Sequence, residues 1–372
     1  MKYRRFGRTE MHLSVFTLGG MRFLDSKETA IRTAFEAVRL GINHIETARG
    51  YGDSEKFLGE AFRAGLPRDK LFITTKITPT ADRDTMRRQI DESLKRMRIS
   101  RIDNFDVHGI NLPEHLALCT RKNGCMKAVQ EAMDEGIIGH VGFSTHGRLP
   151  LLLETINTDL FESINLHYYY FNQNNAPAVE LAHQKDMGVF IISPTDKGGQ
   201  LFNPTPKLEQ LCAPYSPMAI NHRFLLSDPR IHTLSLGASN PKEFAPHIAV
   251  ADNDAPLTEL EKAIFARLDN QYRTVPSLCE QCMQCLPCPE NINIPEVLRL
   301  RNLALGFDMQ EFAQYRYGMF GNAGHWYPGT TANACTDCGD CLPRCPVELK
   351  IPTLLEESHK LMFQGNRKRL WS

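Results

Sequence analysis

The sequence of 372 residues predicts an α/β fold, a (β/α)8 (TIM) barrel, followed by a small α-helical, cysteine-rich domain. Short apolar segments alternate with amphipathic helical ones along the first two-thirds of the chain. Eight such repeats fit within about 250 residues, as a (β/α)8 barrel requires. A doubly wound open sheet is the alternative, because counting repeats does not show closure. The second domain is predicted from two short runs that hold eight of the eleven cysteines.

The predicted strands begin after a hairpin over residues 2–13, which turns at Gly7. We expect this hairpin to cover the N-terminal mouth of the barrel. Several of the strand segments are continuously apolar, as parallel strands buried on both faces are. The strands are predicted over residues 15–18, 43–47, 72–77, 104–107, 140–143, 163–168, 189–193 and 233–236.

The helical segments between these strands carry apolar faces at a helical period. Asp25 or Ser26 caps the first, and we expect Ile31, Phe35 and Val38 to form its buried face.

The pattern changes after residue 252. Thr258 opens a helix through Leu260, Ile264 and Leu268, and further helices are predicted over residues 294–305 and 309–317. The predicted domains are therefore a barrel over 1–255, a linker helix over 256–275 and a cysteine-rich domain over 276–372.

Composition narrows the function and the compartment. The formal net charge is zero and the pI is about 7.2, which argues against nucleic-acid binding through bulk charge. The sequence shows no apolar run of membrane-spanning length and no signal peptide. We expect a cytoplasmic protein whose remaining cysteines, Cys119, Cys125 and Cys212, are small core residues rather than disulfide partners. The basic stretch 366–370 is expected to be a solvated tail.

Each cysteine run has the spacing of an iron–sulfur ligand set. The second run reads C-x2-C-x2-C-x3-C-P, and the first has one residue fewer before its last cysteine. The first three thiolates of a run reach one cluster, while the fourth, beside proline, serves the other. Structural zinc is the alternative, although it prefers paired C-x2-C hooks separated by a longer loop. We predict two [4Fe–4S] clusters held by Cys279, Cys282, Cys285, Cys288, Cys335, Cys338, Cys341 and Cys345.

Ionisable side chains collect where the predicted barrel strands end, which is where such barrels place their active sites. The second strand leads to Glu46 and Tyr51, the third to Lys76 and the fourth to His108. A phenol is a poor acid at neutral pH unless a neighbouring ammonium stabilises its phenolate. We expect Lys76 to do this for Tyr51, with Glu46 holding Lys76 and His108 orienting a carbonyl oxygen.

The sequence resembles the aldo-keto reductase superfamily over roughly residues 1–250. The resemblance is carried by Phe16-Thr17-Leu18-Gly19-Gly20, by Thr47-Ala48-x-x-Tyr51-Gly52-x-Ser54-Glu55, and by Lys76 and His108. The cysteine-rich tail looks like that of the branch with a C-terminal 4Fe–4S ferredoxin domain. The resemblance implies that Tyr51 is the general acid, that Glu46, Lys76 and His108 support it, and that NADPH is the usual hydride donor.

Several positions depart from the family pattern and leave NADP or NAD open as the nucleotide. Glu46 replaces an aspartate, Thr145 an asparagine, Ile192 a stacking aromatic residue and Glu243 an arginine common in NADP-specific members. The nucleotide contacts that the resemblance implies are Ser144, Asn165 (in place of a glutamine), Ser193, Gly237 and Ser239.

The leading functional prediction is an iron–sulfur oxidoreductase. It would reduce a small carbonyl with NAD(P)H, or oxidise an alcohol with the oxidised nucleotide as hydride acceptor, and this reaction would be coupled to electron transfer through both clusters to or from a partner protein. The alternative is an electron-transfer or sensor protein whose barrel is a binding scaffold. In a third hypothesis the clusters only hold the helical tail together.

Overall fold

The computed structural model describes residues 1–23 and 26–367. The predicted cap Asp25 and most of the basic stretch 366–370 lie outside these residues. The chain divides into two compact units, Met1–Gly198 with Asn221–Pro256, and Gly199–Ile220 with Leu257–Ser372. Within the described ranges, no helix has both the length and the apolar character needed to cross a membrane.

The first unit is built on a closed barrel of parallel strands. The barrel runs from β3 to β10 in sequence order, and β10 closes it by pairing with β3, Leu236 opposite Leu18. The predicted barrel is therefore confirmed, and the open sheet is excluded. The strands are β1 Tyr3–Arg5, β2 His12–Ser14, β3 Phe16–Gly19, β4 His44–Glu46, β5 Phe72–Ile77, β6 Ile102–Val107, β7 Ile138–Ser144, β8 Ser163–Leu166, β9 Gly188–Ile191 and β10 Thr233–Leu236.

The predicted hairpin is also confirmed, because β1 and β2 pair in antiparallel register. Phe6, between them, is buried with Leu13 and Phe190, and Phe72 packs against this cluster. A Cβ at Gly188 would collide with the Phe6 ring. Because Phe72 and Gly188 are the first residues of β5 and β9, the hairpin covers the N-terminal end of the barrel.

Helices α1 to α10 lie mostly between the strands, and Ser26 caps α1 by accepting a hydrogen bond from Thr29 N. Of the predicted face of α1, Ile31 and Val38 are partly buried against the barrel core, whereas Phe35 is 37% exposed; the fully buried residues are Ala30, Thr33, Ala34 and Ala37. The helices are α1 Lys27–Arg39, α2 Ser54–Arg63, α3 Arg83–Met97, α4 Pro113–Thr120, α5 Cys125–Asp134, α6 Leu149–Asn157, α7 Ala176–Gln184, α8 Pro206–Cys212, α9 Pro217–Leu226 and α10 Ala245–Ile248.

The second unit is helical around its cysteine runs. It contains α8 together with α11 Glu259–Arg273, α12 Ile294–Phe307, α13 Gln310–Tyr317 and α14 Ile351–Met362. A capping box between Thr258 and Glu261 starts α11. The helix passes through Leu260, Ile264 and Leu268 as predicted; Ile264, Phe265 and Leu268 are buried, whereas Leu260 is 47% exposed.

Candidate active site and cluster-binding residues

Lys76 is held at the C-terminal end of the barrel by the neighbouring strand. It lies on β5 with 1% of its surface exposed, forms an ion pair with Glu46 at the end of β4, and donates to Thr47 O at 3.0 Å. Glu46 Oε1 accepts a hydrogen bond from Ser235 Oγ at 3.1 Å. A Cβ at Gly19 would lie 2.6 Å from Ser235 Oγ. Glycine at residue 19 therefore leaves room for the hydrogen bond between Ser235 and Glu46.

Tyr51 lies in the loop between β4 and α2, beside Lys76 and His108. Lys76 Nζ is 5.2 Å from the centroid of the Tyr51 ring. The Tyr51 and His108 rings meet edge to face, with centroids 5.5 Å apart and an interplanar angle of 84°. The structure thus brings the four predicted catalytic side chains together. An ammonium next to a phenol, with a carboxylate behind it, is an arrangement able to donate a proton and stabilise the phenolate that remains.

The site also contains a carboxylate that sequence reasoning did not select. Asp106 is fully buried on β6, where Asn104 and Asn165 donate hydrogen bonds to it. Burial raises the pKa of Asp106 and lowers the pKa of Lys76, each opposed by the charge of the other. The available signal was the two-residue period that places Asn104 and Asp106 on the same strand face as His108.

Two of the predicted nucleotide contacts lie buried at the ends of neighbouring strands. Ser144 ends β7, and its Oγ accepts a hydrogen bond from Gly109 N at 3.0 Å. Asn165, on β8, is the register partner of Ser144. Asn165 Oδ1 is buried and has no hydrogen-bond partner among residues 1–23 and 26–367. An unpaired acceptor at this position fits the amide N–H of a nicotinamide carboxamide. Ser193, after β9, is half-buried with a left-handed backbone, φ +53°.

The remaining predicted contacts, Gly237 and Ser239, follow β10 and are tied to Glu243 and Arg22. Glu243 accepts hydrogen bonds from Ser239 N at 3.1 Å and Ser239 Oγ at 2.6 Å. Arg22 pairs with Glu243 at 3.1 Å and donates to Gly237 O at 2.9 Å. These donors are therefore already engaged by a carboxylate rather than left for a phosphate.

The eight cysteines of the two runs line two separate cavities, and each cavity takes three cysteines from one run and one from the other. The first is also lined by Leu298 and Ile351, and the second by Ile294 and Leu355. Four thiols around an apolar cavity are the donor set of a [4Fe–4S] cluster. The first set is Cys279, Cys282, Cys285 and Cys345, and the second is Cys288, Cys335, Cys338 and Cys341.

The two runs share a backbone pattern that wraps each loop around its cavity. Gln281 and Met283 in the first run have positive φ, as do Asp337 and Gly339 at the equivalent positions of the second. Alternating left-handed residues turn successive cysteines toward one side of the chain.

Within the residues described, no three His, Cys, Asp or Glu side chains converge to suit a single metal ion.

The surroundings of the cysteine thiols disfavour free thiolates but suit thiolates bound to iron. Burial raises the pKa of Cys279 and Cys341, and raises that of Cys285 to about 12. Bound iron would offset this effect, because a thiol that coordinates a metal cation is deprotonated. Gln281 Nε2 donates to Cys279 Sγ at 3.3 Å and Leu349 N donates to Cys345 Sγ at 3.4 Å. Hydrogen bonds of this kind tune the potential of a bound cluster.

Known proteins match both parts of the chain. Residues 16–270 match the aldo/keto reductase family, and residues 278–350 match a 4Fe-4S dicluster domain. L-galactose dehydrogenase from Arabidopsis thaliana is 26% identical over 301 residues, which cover 70% of this chain and 89% of that protein. The uncharacterized oxidoreductase YqkF from Bacillus subtilis (strain 168) is 22% identical over 298 residues, 70% of this chain and 94% of its own length. The solved aldo-keto reductase AKR11C1 from Bacillus halodurans (holo form) shares the fold with a TM-score of 0.61 and 22% identity, covering 72% of this chain and 96% of its own.

Proposed function

Because this chain belongs to the aldo/keto reductase family and carries a C-terminal 4Fe-4S dicluster domain, we propose that it transfers hydride between a nicotinamide nucleotide and a small carbonyl or alcohol. We further propose that two [4Fe–4S] clusters pass single electrons to or from a partner protein. The chain is an oxidoreductase of the aldo/keto reductase type. The nucleotide, the reaction and the electron route are the parts that experiments must test.

The observation that carries the proposed reaction is the buried Lys76 ammonium, placed between the Glu46 carboxylate and the Tyr51 ring. Tyr51 donates its proton to the carbonyl oxygen as the carbonyl carbon accepts hydride, and Lys76 stabilises the phenolate. In alcohol oxidation the same phenolate takes the hydroxyl proton. His108 orients the oxygen by hydrogen bonding. A bound nicotinamide supplies or accepts the hydride.

Substitution of Tyr51 by phenylalanine tests this assignment. We expect Tyr51→Phe to lower kcat for NAD(P)H-linked turnover roughly 100- to 10,000-fold, the usual contribution of a general acid. Nucleotide affinity and iron content should stay unchanged. The matched control is Tyr3→Phe, which removes a hydroxyl that donates to Gly41 O near the hairpin. Full activity in Tyr51→Phe would remove Tyr51 as the acid.

The electron route is supported by the two four-cysteine cavities. Two [4Fe–4S] clusters hold two electrons between them, as many as one hydride carries; passing them between the hydride and the clusters also requires a bound carrier, such as a flavin, that takes two electrons, gives them up singly and releases a proton. Iron and sulfide analysis of anaerobically purified protein, followed by a redox titration, tests this part. We expect iron for two clusters and reversible reduction of both. Clusters that cannot be reduced at accessible potentials would favour a structural role.

The scaffold hypothesis is favoured by one group of observations, the replacement of nucleotide-binding residues by Ile192 and Glu243. A direct titration with NADH and NADPH separates the two hypotheses. Micromolar binding of either nucleotide supports the enzyme, and no binding supports a scaffold or sensor.

The domain boundaries at 255 and 275 and the cytoplasmic location remain predictions.

A further inference from the structure

Asp106 is a buried carboxylate that the proposed reaction does not use. It lies on β6, and its register partner on β5 is Lys76. Register partners on adjacent strands point to the same side of a sheet, so both side chains face the barrel interior. On β7 the register partner of Asp106 is Gly142, where a Cβ would collide with the Asp106 carboxylate. Gly142 therefore leaves the space that Asp106 fills.

Two amide side chains hold the Asp106 carboxylate in place. Asn104 Nδ2 donates to Oδ1 at 2.9 Å, and Asn165 Nδ2 donates to Oδ2 at 2.7 Å. Because a carboxylate only accepts hydrogen bonds, this contact fixes the amide nitrogen of Asn165 toward Asp106 and its oxygen away from it. That oxygen is the buried acceptor without a partner among the described residues. A carboxamide N–H would satisfy it.

We propose that Asp106 is a positioning residue that connects the two halves of the active site. It orients Asn165 toward the carboxamide of the nicotinamide, and its negative charge, opposite Lys76, sets the ionisation of Tyr51. The inference rests on the proposed function, since it assumes a nicotinamide at Asn165. Asp106 acts through Asn165 and Lys76 rather than by touching the substrate.

The charges around Lys76 give this proposal a pH dependence. Burial, with the Lys76 charge, lowers the pKa of His44 to about 3, so His44 is neutral near pH 7. With both carboxylates ionised, Lys76 faces two negative charges. Removing the Asp106 charge lifts its repulsion of the Tyr51 phenolate and moves the ionisation of Tyr51 to lower pH as long as Glu46 keeps Lys76 protonated, because the Asp106 charge also raises the pKa of Lys76. The titratable groups of the barrel interior and mouth that enter this balance are His44, Glu46, Tyr51, Lys76, Asp106 and His108.

Two substitutions separate the charge of Asp106 from its hydrogen bonds. Asp106→Asn keeps the shape and removes the charge, whereas Asp106→Leu also removes the acceptor for Asn165. We expect Asp106→Leu to weaken NADH binding roughly tenfold, measured by fluorescence titration. Both variants should lower the pH at which Tyr51 ionises by on the order of one unit. That pH is read by NMR of 13Cζ-labelled tyrosine, with Tyr51→Phe assigning the signal.

Asp103→Asn is the matched control on the same strand. Asp103 accepts a hydrogen bond from Ile73 N at 2.8 Å and pairs with Arg68 at 2.7 Å, and its half-buried side chain lies on the opposite face of β6 from Asp106. We expect neither the NADH affinity nor the Tyr51 titration to change in this variant. Equal effects in Asp103→Asn and Asp106→Asn would show a general loss of stability and overturn the inference.

The results distinguish this inference from the proposed function. If the unsubstituted protein binds NADH, but Asp106→Leu binds it equally well and leaves the Tyr51 titration unmoved, Asp106 has no positioning role and the proposed function stands. If the unsubstituted protein binds neither nucleotide, the proposed function fails together with the role of Asn165. The Tyr51 titration, which needs no nucleotide, still decides the role of the Asp106 charge. Asp106→Asn keeps this test available if Asp106→Leu does not fold.

Discussion

Glu243 engages donors that a nucleotide phosphate would otherwise use. Its carboxylate accepts from Ser239 N, Ser239 Oγ and, at 2.9 Å, Asn240 Nδ2, and it pairs with Arg22. A phosphate on the ribose would meet a like charge here, whereas the hydroxyls of an unphosphorylated ribose can donate to a carboxylate, as they do in other NAD sites. We therefore expect NADH to bind more tightly than NADPH.

Glu243→Gln tests this preference. Loss of the negative charge removes the repulsion and frees Arg22, so NADPH affinity should rise about tenfold relative to NADH, which corresponds to about 1.4 kcal/mol. The ratio of the two dissociation constants is measured by fluorescence titration. The control is Glu60→Gln on α2, which removes a carboxylate that pairs with Arg63 and Arg98. It should leave the ratio unchanged. An unchanged ratio in Glu243→Gln would mean that Glu243 does not select the nucleotide.

Residues at strand ends could be selected from the sequence because a strand end is a local feature. Glu46, Lys76 and His108 each end or follow an apolar segment, and the barrel places such positions at one mouth. For Asp106 the two-residue period of the strand gives only the face, which it shares with His108, and does not show what its carboxylate contacts. Its contacts depend on the neighbouring strands, on the register with Lys76 and Gly142, and on Asn165 two strands away. None of these is encoded in the local pattern around residue 106.

Helix positions were predictable from the sequence, but helix faces were less so. On α1 the helical period fits both the face of Ile31, Phe35 and Val38 and the face of the alanines at 30, 34 and 37. The structure buries the alanines, because small side chains let a helix approach its neighbours closely. Ile31 and Val38, beside these alanines, are partly buried against the same core and Phe35 is exposed, so a pattern that ranks residues by hydrophobicity misplaces the centre of the buried face.

The cysteine loops illustrate an arrangement between elements that spacing does predict. Cys288 and Cys345 each precede a proline, and each lines the cavity of the other run. The exchange is the one known for the C-x2-C-x2-C-x3-C-P spacing. The fourth cysteine follows after four residues in the second run but after three in the first, so the feature common to both runs is the proline after the fourth cysteine. If two clusters bind, each of them therefore joins both runs.

Double substitutions test the exchange. Cys279→Ser with Cys345→Ser removes two ligands of one predicted cluster, so about half of the iron should remain and a single cluster should be visible by EPR after reduction. Cys279→Ser with Cys288→Ser removes one ligand from each cluster, so both should be lost or degraded. Cys212→Ser, at a buried cysteine outside both cavities, should keep all the iron. Retention of one intact cluster in the second double variant would contradict the exchange.

At the scale of the whole molecule, the division into units was harder to predict than the barrel. The repeats predicted the eight strands, and the pairing of β10 with β3 shows that these strands form a closed barrel. The segment Gly199–Ile220 follows β9, yet it belongs to the second unit. Thr205 Oγ1 donates to Phe307 O at 2.7 Å, and Arg267 donates to Ala213 O at 2.6 Å. Such contacts join residues far apart in sequence, so local patterns do not show them.

This division predicts what loss of iron does to the protein. Ligation by a metal centre contributes to the folding free energy of a small domain, so anaerobic chelation of the purified holoprotein should loosen the second unit, including α8. Trypsin should then cut after Lys207, which in the folded unit pairs with Asp308 at 3.3 Å, whereas Lys56, on α2 of the barrel, should stay resistant. Mass mapping of the fragments measures both sites. The barrel should retain its NADH affinity, because no predicted nucleotide contact lies in the second unit. Continued protection of Lys207 in iron-free protein would show that the fold of this segment does not depend on the clusters.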